Sequence, residues 1–167
     1  AEVDFTFTNA SEARAKVVSF TPPLIQLELG YLVPPNSAIR SVNDVDKLGV
    51  RVGVSQGSSS QAALGKSLTQ AKLVAADSVK AAQDLLRKGE VQAFATNKAI
   101  LNEMAQGLPG FKVLDGRWGL ENLAIAVPQG REAGMDYLRQ FARDVQANGE
   151  LQAIIRKADL RGTVKPQ

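Results

Sequence analysis

Between Val50 and Leu114 the chain alternates short apolar runs with helix-patterned segments, and this alternation most limits what it can fold into. VRVGV (50–54), KLVAA (72–76), VQAFAT (91–96) and FKVL (111–114) read as strands. QGSSSQAALGKSL, DSVKAAQDLLRKG and NKAILNEMAQG lie between them and read as helices. The most periodic helix places Val79, Ala82, Leu85 and Leu86 on one stripe, with Ser78 as its cap and Gly89 as its stop. Strands joined through helices pair in parallel, because the crossover returns the chain in the same direction. Repeated β-α-β units therefore predict the α/β class, with a mainly parallel sheet and helices on both faces.

The N-terminal segment VDFTFTNASEARAKVVSFTPPL is of another kind. Val3, Phe5 and Phe7 alternate with Asp4, Thr6 and Thr8, the period of a half-buried strand. Ser11 then opens a very short capped helix that carries Arg14. Thr8 and Asn9 fall at the strand end, one helical turn from that arginine. A guanidinium at a strand end grips a carboxylate through two parallel hydrogen bonds, so the segment reads as a wall that holds a small anion. A surface ion pair of Arg14 with Glu12 or Asp4 is the competing reading.

Further along, IQLELGYLVP (25–34) is a strand with Ile25, Leu27, Leu29 and Tyr31 on one side, ended by Pro34 and Pro35. SVNDVDKLG is a short helix or turn, and LAIAVP (123–128) is another strand. Met135, Leu138, Phe141, Ala142 and Val145 mark an amphipathic helix ended by Asn148 and Gly149. Leu151, Ile154 and Ile155 carry a last helix before a polar tail.

Composition narrows the chemistry. The 167 residues, 44% hydrophobic and 22% charged, suit one or two compact units. With no Cys and no His, thiol nucleophiles, imidazole bases and ordinary zinc sites are excluded, and no metal or cofactor is expected. A net charge of +3 does not make a nucleic-acid surface here. The basic residues of the C-terminal helices alternate with acidic ones, as a solvated face does. Absence of Cys suits a periplasmic protein and a cytosolic one alike. No apolar run approaches the roughly 18 residues that span a bilayer, and no secretion signal precedes the first strand.

Four segments in order resemble the type II periplasmic solute-binding proteins, in the polar amino acid branch that delivers ligands to ABC importers. They are VDFTFTNASEARAKVVSFTPP, RVGVSQGSSSQAAL, DSVKAAQDLLRKGEVQAFATN and NGELQAIIRK. The resemblance runs from Val3 to about Ala158 and implies a periplasmic-binding-protein-like fold with one complete lobe and part of another. Residues 1–27 and 124–167 would form partial lobe 1 and residues 28–123 lobe 2, with hinge crossings near 27–30 and 121–123. Such proteins carry roughly half of lobe 1 ahead of the segment that opens this chain, which implies an N-terminal truncation, with any signal peptide outside the sequence. Val3, Phe5, Phe7, Val17, Phe20 and the stripe of the 135–145 helix would then be left partly uncovered, a surface expected to pair with a second copy or exchange elements with it.

The resemblance also implies the site. Arg14 falls on the arginine that binds the ligand carboxylate, with Thr8 and Asn9 in the polar loop beside it. Ser58, Ser59 and Ser60 stand where a hydroxyl and helix N-terminal N–H groups meet the same carboxylate, one of them also capping the helix. Asn97 stands where an Asp usually pairs with an α-ammonium, and Leu24 where Tyr is frequent; both departures favour a carboxylate ligand without that ammonium. Trp118 and Tyr31 read as core or rim before they read as cleft. The function implied is capture of an amino acid or organic acid by closure of two lobes, in the periplasm, for a membrane permease. The alternatives are a ligand-sensing domain of a receptor or regulator and, less favoured, a cyclohexadienyl-dehydratase-like enzyme, which needs a cleft carboxylate where this chain has Thr8, Asn9, Ser58 and Asn97.

Overall fold

The computed structural model describes residues 3–166. They form two compact units: one holds Leu27 and the described residues before it together with Glu121 and those after it, and the other is Glu28–Leu120. In chain order the strands and helices are β1 (Thr6–Asn9), α1 (Glu12–Ala15), β2 (Val18–Phe20), β3 (Ile25–Val33), β4 (Arg51–Ser55), α2 (Ser59–Ser67), β5 (Lys72–Ala76) and α3 (Val79–Arg87). They continue as β6 (Ala93–Asn97), α4 (Lys98–Gln106), β7 (Lys112–Val113), β8 (Gly119–Pro128), α5 (Met135–Ala147), α6 (Glu150–Lys157) and β9 (Thr163–Val164).

The unit Glu28–Leu120 is built on β4. It pairs in parallel with β5, Val54 opposite Ala75, and with β6, Val54 opposite Ala95. Alternation along these strands makes two cores, one on each face of the sheet. Val52 and Val54, Ala93 and Ala95, and Tyr31 and Val33 join Leu64 of α2 on one face. Phe94 and Leu32 join Ala82 and Leu86 of α3 and Leu101 and Met104 of α4 on the other. The α/β class and the helices on both faces hold.

The sheet is mixed rather than mainly parallel. Among the described residues parallel pairing joins β4 to β5 and β6, whereas β3 meets both β6 and β7 antiparallel. The reason is connectivity: no crossover helix links β3 to β4, so nothing forces β3 to run in their direction. Two local expectations also change. Val79 is 59% exposed because it is the first residue of α3, ahead of the buried stripe of Ala82 and Leu86. The strand expected from Val3 begins only at Thr6.

In the other unit β8 pairs antiparallel with β1, Asn9 opposite Leu123, and with β2, Phe20 opposite Ala126. Leu24, Ile125 and Ala142 form its core, with Leu138, Val145 and Leu151 packed around them. Gln146 donates from Nε2 to the Pro23 and Leu24 carbonyls, tying α5 to the turn before β3. Val3, Phe5, Phe7, Val17, Tyr137 and Phe141 are exposed, and Phe5 and Phe7 meet edge to face with centroids 6.2 Å apart. Phe20 is half-buried.

Two carboxylates brace the loops around β4 and β5. Asp46 accepts from the backbone N–H groups of Thr69, Gln70 and Ala71. Asp44 accepts from Lys47 Nζ at 2.7 Å and from the Ser41 hydroxyl and N–H. These hydrogen bonds, that from Ala71 foremost for Asp46 and that from Lys47 foremost for Asp44, hold both carboxyls well below the usual range.

Two predictions follow from this packing. A Cβ on Gly53 would lie 2.5 Å from Cδ2 of Phe94, a ring 1% exposed. Gly53→Ala is therefore expected to lower the unfolding free energy in urea by about 1–3 kcal/mol. Gly65→Ala, whose Cβ would meet only Leu73 at 3.8 Å, is expected to be neutral or stabilising. The second concerns acid. Because Asp44 and Asp46 titrate lower when folded, their contribution is complete above the unfolded carboxylate pKa of about 3.9 and is lost as pH falls below it. The melting temperature of the parent is thus expected to drop on acidification, and Asp46→Asn to melt lower at neutral pH with the gap closing as pH falls; a gap independent of pH would refute the assignment.

Candidate functional site

In the unit that contains β1, the strand ends where α1 begins. Ser11 caps α1 by accepting from the Arg14 N–H at 3.3 Å, and the helix stops at once, so Arg14 turns back over the strand end. Its NH1 donates to Thr8 Oγ1 at 3.0 Å and to the Asn9 carbonyl at 3.1 Å. No carboxylate pairs with Arg14 among the described residues; Asp4 pairs instead with Arg131 at 3.3 Å. The guanidinium is thus oriented through one nitrogen while half-exposed. Asn9 Nδ2 donates to Glu121 Oε2 at 2.8 Å, which fixes the loop that orients Arg14. Thr8, Asn9 and Arg14 come together as a group.

In the unit Glu28–Leu120, Ser58–Ser60 and Asn97 share one edge of the sheet. β4 and β6 are parallel neighbours, so α2 and α4 leave them at the same end. Ser58 caps α2, its Oγ accepting from the Gln61 N–H at 3.0 Å. Gly57 N–H donates to Gln61 Oε1 at 2.7 Å and closes the turn. Ser59 is the first residue of α2 and Ser60, one turn before buried Leu64, is 2% exposed. Asn97 ends β6 and caps α4, its Oδ1 accepting from the Ile100 N–H at 3.0 Å. First-turn N–H groups and the helix dipole make such an edge favourable to negative charge.

Beside Asn97 lies a cluster that sequence reasoning did not identify. Glu28 accepts from Lys98 Nζ at 3.0 Å through one oxygen and from Arg117 NH1 at 2.9 Å through the other. The Lys98 hydrogen bond is the main cause of a carboxyl pKa below its ordinary value. The Lys98 stem crosses Gly30, where a Cβ would come within 3.1 Å of its Cγ. Two cations on one carboxylate leave the cluster with a net positive charge. A signal was present: Glu28 is the single charge inside the apolar run IQLELGYLVP.

Tyr31 and Trp118 belong to the core. Tyr31 is 2% exposed and burial pushes its phenol up to about 12, while Trp118 packs against it and donates from Nε1 to the Gly30 carbonyl. Leu24 is buried against α5. No group of acidic side chains suited to a metal occurs among the described residues, nor a helix long and apolar enough to cross a membrane.

No protein-family model matches the chain, and no curated protein does. Solved structures do. The L-cysteine solute receptor of Neisseria gonorrhoeae is 26% identical, with a TM-score of 0.80 over 93% of this chain and 64% of that one. An ancestral arginine-binding protein bound to glutamine is 26% identical, with a TM-score of 0.77 over 93% and 68%. The ancestral amino acid-binding protein AncCDT-1, a precursor of cyclohexadienyl dehydratase, is 22% identical, with a TM-score of 0.77 over 90% and 64%. The fold is therefore that of the amino acid ABC transporter substrate-binding proteins, and most of the similar structures are binding proteins rather than enzymes. The chain spans about two thirds of their length, 64% and 65% for the first two.

The division of labour among the serines is testable. Ser58→Ala removes the cap of α2 and is expected to cost about 1 kcal/mol of stability. Ser60→Ala is expected to change stability by less than about 0.5 kcal/mol, since its hydroxyl holds nothing in place. Urea denaturation of both variants decides; a large loss for Ser60→Ala would mean that its hydroxyl has a structural partner.

Proposed function

We propose that this chain is the ligand-capturing part of an extracytoplasmic solute-binding protein, and that it takes a small carboxylate-bearing ligand, an amino acid or organic acid, for an ABC importer. The observation that carries the reading is Arg14: a guanidinium oriented by Thr8 and Asn9 through NH1 alone, with no carboxylate partner among the described residues. A surface arginine with a structural role would be expected to pair with a neighbouring acid, and a planar fork oriented without one suits a carboxylate from outside. Thr8 and Asn9 act by orienting it. For the unit Glu28–Leu120, the residues we propose as ligand contacts are Ser58, Ser59, Ser60 and Asn97.

The similar structures support the same class, since the ligands named for them are arginine, glutamine, L-glutamate or L-cysteine, each of which carries a carboxylate. Binding rather than catalysis is the reading that most of the similar structures support. The periplasm and a membrane permease are the place and partner that go with this role. For the exposed face of Phe5, Phe7 and Val17 we propose a second copy of the chain as partner, and sedimentation velocity checks it: a concentration-independent monomer rules it out.

Calorimetric titration of the chain with a panel of α-amino acids and small organic acids tests the function. Arg14→Ala is expected to weaken binding of the ligand found by at least about thirtyfold, the loss of about 2 kcal/mol or more typical of an uncoupled charge pair. Arg14→Lys is expected to recover only part of it, because an ammonium lacks the bidentate fork. Unchanged affinity in Arg14→Ala would remove Arg14 from the site.

A further inference from the structure

The capped edge of the Glu28–Leu120 unit offers hydrogen-bond donors beside two helix N-termini, and the acceptors on its capping side chains are neutral. Ser58 commits a lone pair to the Gln61 N–H and Asn97 commits Oδ1 to the Ile100 N–H. What these side chains retain for a visitor is the Ser58 O–H, the Asn97 Nδ2–H groups and one spare lone pair on each capping oxygen, so every acceptor left on them is neutral. Asn97 is 9% exposed, and its Nδ2 has no hydrogen-bond partner among the described residues. Ser60 is 2% exposed, and its hydroxyl likewise has none. Neither atom is among the sealed, unsatisfied polar atoms of the described residues, so both remain reachable from outside. The carboxylate bonded to Lys98, the residue after Asn97, is Glu28, and both of its oxygens are taken by Lys98 and Arg117.

We infer that this edge selects an acceptor-only ligand group, a carboxylate or a keto oxygen beside one, and rejects an α-ammonium, so that the natural ligand is an organic acid without an amino group. The inference rests on the carboxylate-capture reading above and narrows it. An ammonium set against Asn97 Nδ2, the first turn of α2 and Lys98 would lose water, gain only neutral acceptors and face the positive ends of two helix dipoles and a lysine. A carboxylate there gains donors from nearly buried groups that have no partner among the described residues.

The test uses acids matched except for the amine: succinate against L-aspartate, and glutarate against L-glutamate. Each is titrated into the uniformly nitrogen-15-labelled chain, following the Asn97 side-chain amide and the Ser58–Ser60 backbone amides by NMR. The expected result is that the dicarboxylates shift these signals and that each amino acid binds at least about tenfold more weakly than its partner. Asn97→Asp keeps the cap, since either carboxylate oxygen accepts from Ile100 N–H, and exchanges only the outward donor for an acceptor. It is expected to reverse the preference within each pair. Equal or tighter binding of the amino acids to the parent overturns the selectivity while leaving carboxylate capture intact. If neither member of either pair moves these signals, the edge is not a carboxylate site, and the capture reading fails for this unit together with the selectivity.

Discussion

The contact on which the rest depends is the ring of Phe94 lying over Gly53. β4 and β6 are parallel and adjacent, and each must be apolar on both faces because helices cover both. On one face Val52, Val54, Ala93 and Ala95 interlock with Leu64. On the other, β4 has no side chain at position 53, and Phe94 fills that space while reaching the residues of α3 and α4. Large against absent is how two neighbouring strands share one layer without a void or a clash. The register so locked, Val54 against Ala95, sets where α2 and α4 begin. The placing of Ser58–Ser60 and Asn97 at one edge is a consequence of core packing earlier along each strand, at Gly53 and Phe94.

Most of this unit was legible in the sequence because its signals are local. The caps Ser58 and Ser78, the strand KLVAA and the helix over Val79–Arg87 each depend on residues within one or two turns. What was not legible lies at long range. Glu28 meets Lys98 and Arg117 across 70 and 89 positions, and Asn9 meets Glu121 across 112. No periodicity records such a pairing. The antiparallel partners of β3 were hidden for the same reason, since strand direction is set by where a chain returns and not by its composition. Val79 failed through a boundary effect: a residue with the right spacing escaped burial because it stands in the first turn, where the helix has not yet met the sheet.

The polar residues show a related limit. Thr8, Asn9, Arg14, Ser58 and Asn97 were each identifiable as strand-end or cap residues, and the structure places them in two local groups. Their hydrogen-bond sense was not identifiable. Whether an amide presents its oxygen or its nitrogen is decided by which one the fold has already engaged, and in the folded chain Oδ1 of Asn97 accepts from Ile100 N–H.

That observation extends to a general constraint on sites built from helix caps. A cap is chosen for an acceptor, because the first turn of a helix leaves N–H groups unpaired. Once the acceptor is engaged, a Ser or Asn cap presents to solvent its O–H or NH2, while the helix behind it adds the positive end of its dipole. Cap, dipole and free N–H groups therefore all point toward the same ligand charge, and no adjustment of helix position changes that sign. Only a cap that keeps a charged acceptor, an Asp, reverses it locally. In this chain the residue at that point is Asn97, and the carboxylate that Lys98 reaches, Glu28, is bonded to two cations. A cationic ligand group would have to displace Lys98 or Arg117 from Glu28, whereas an anionic one meets donors already in place. The preference for acceptor oxygens is thus a property of how the two helices start, and the strands beneath them hold it there.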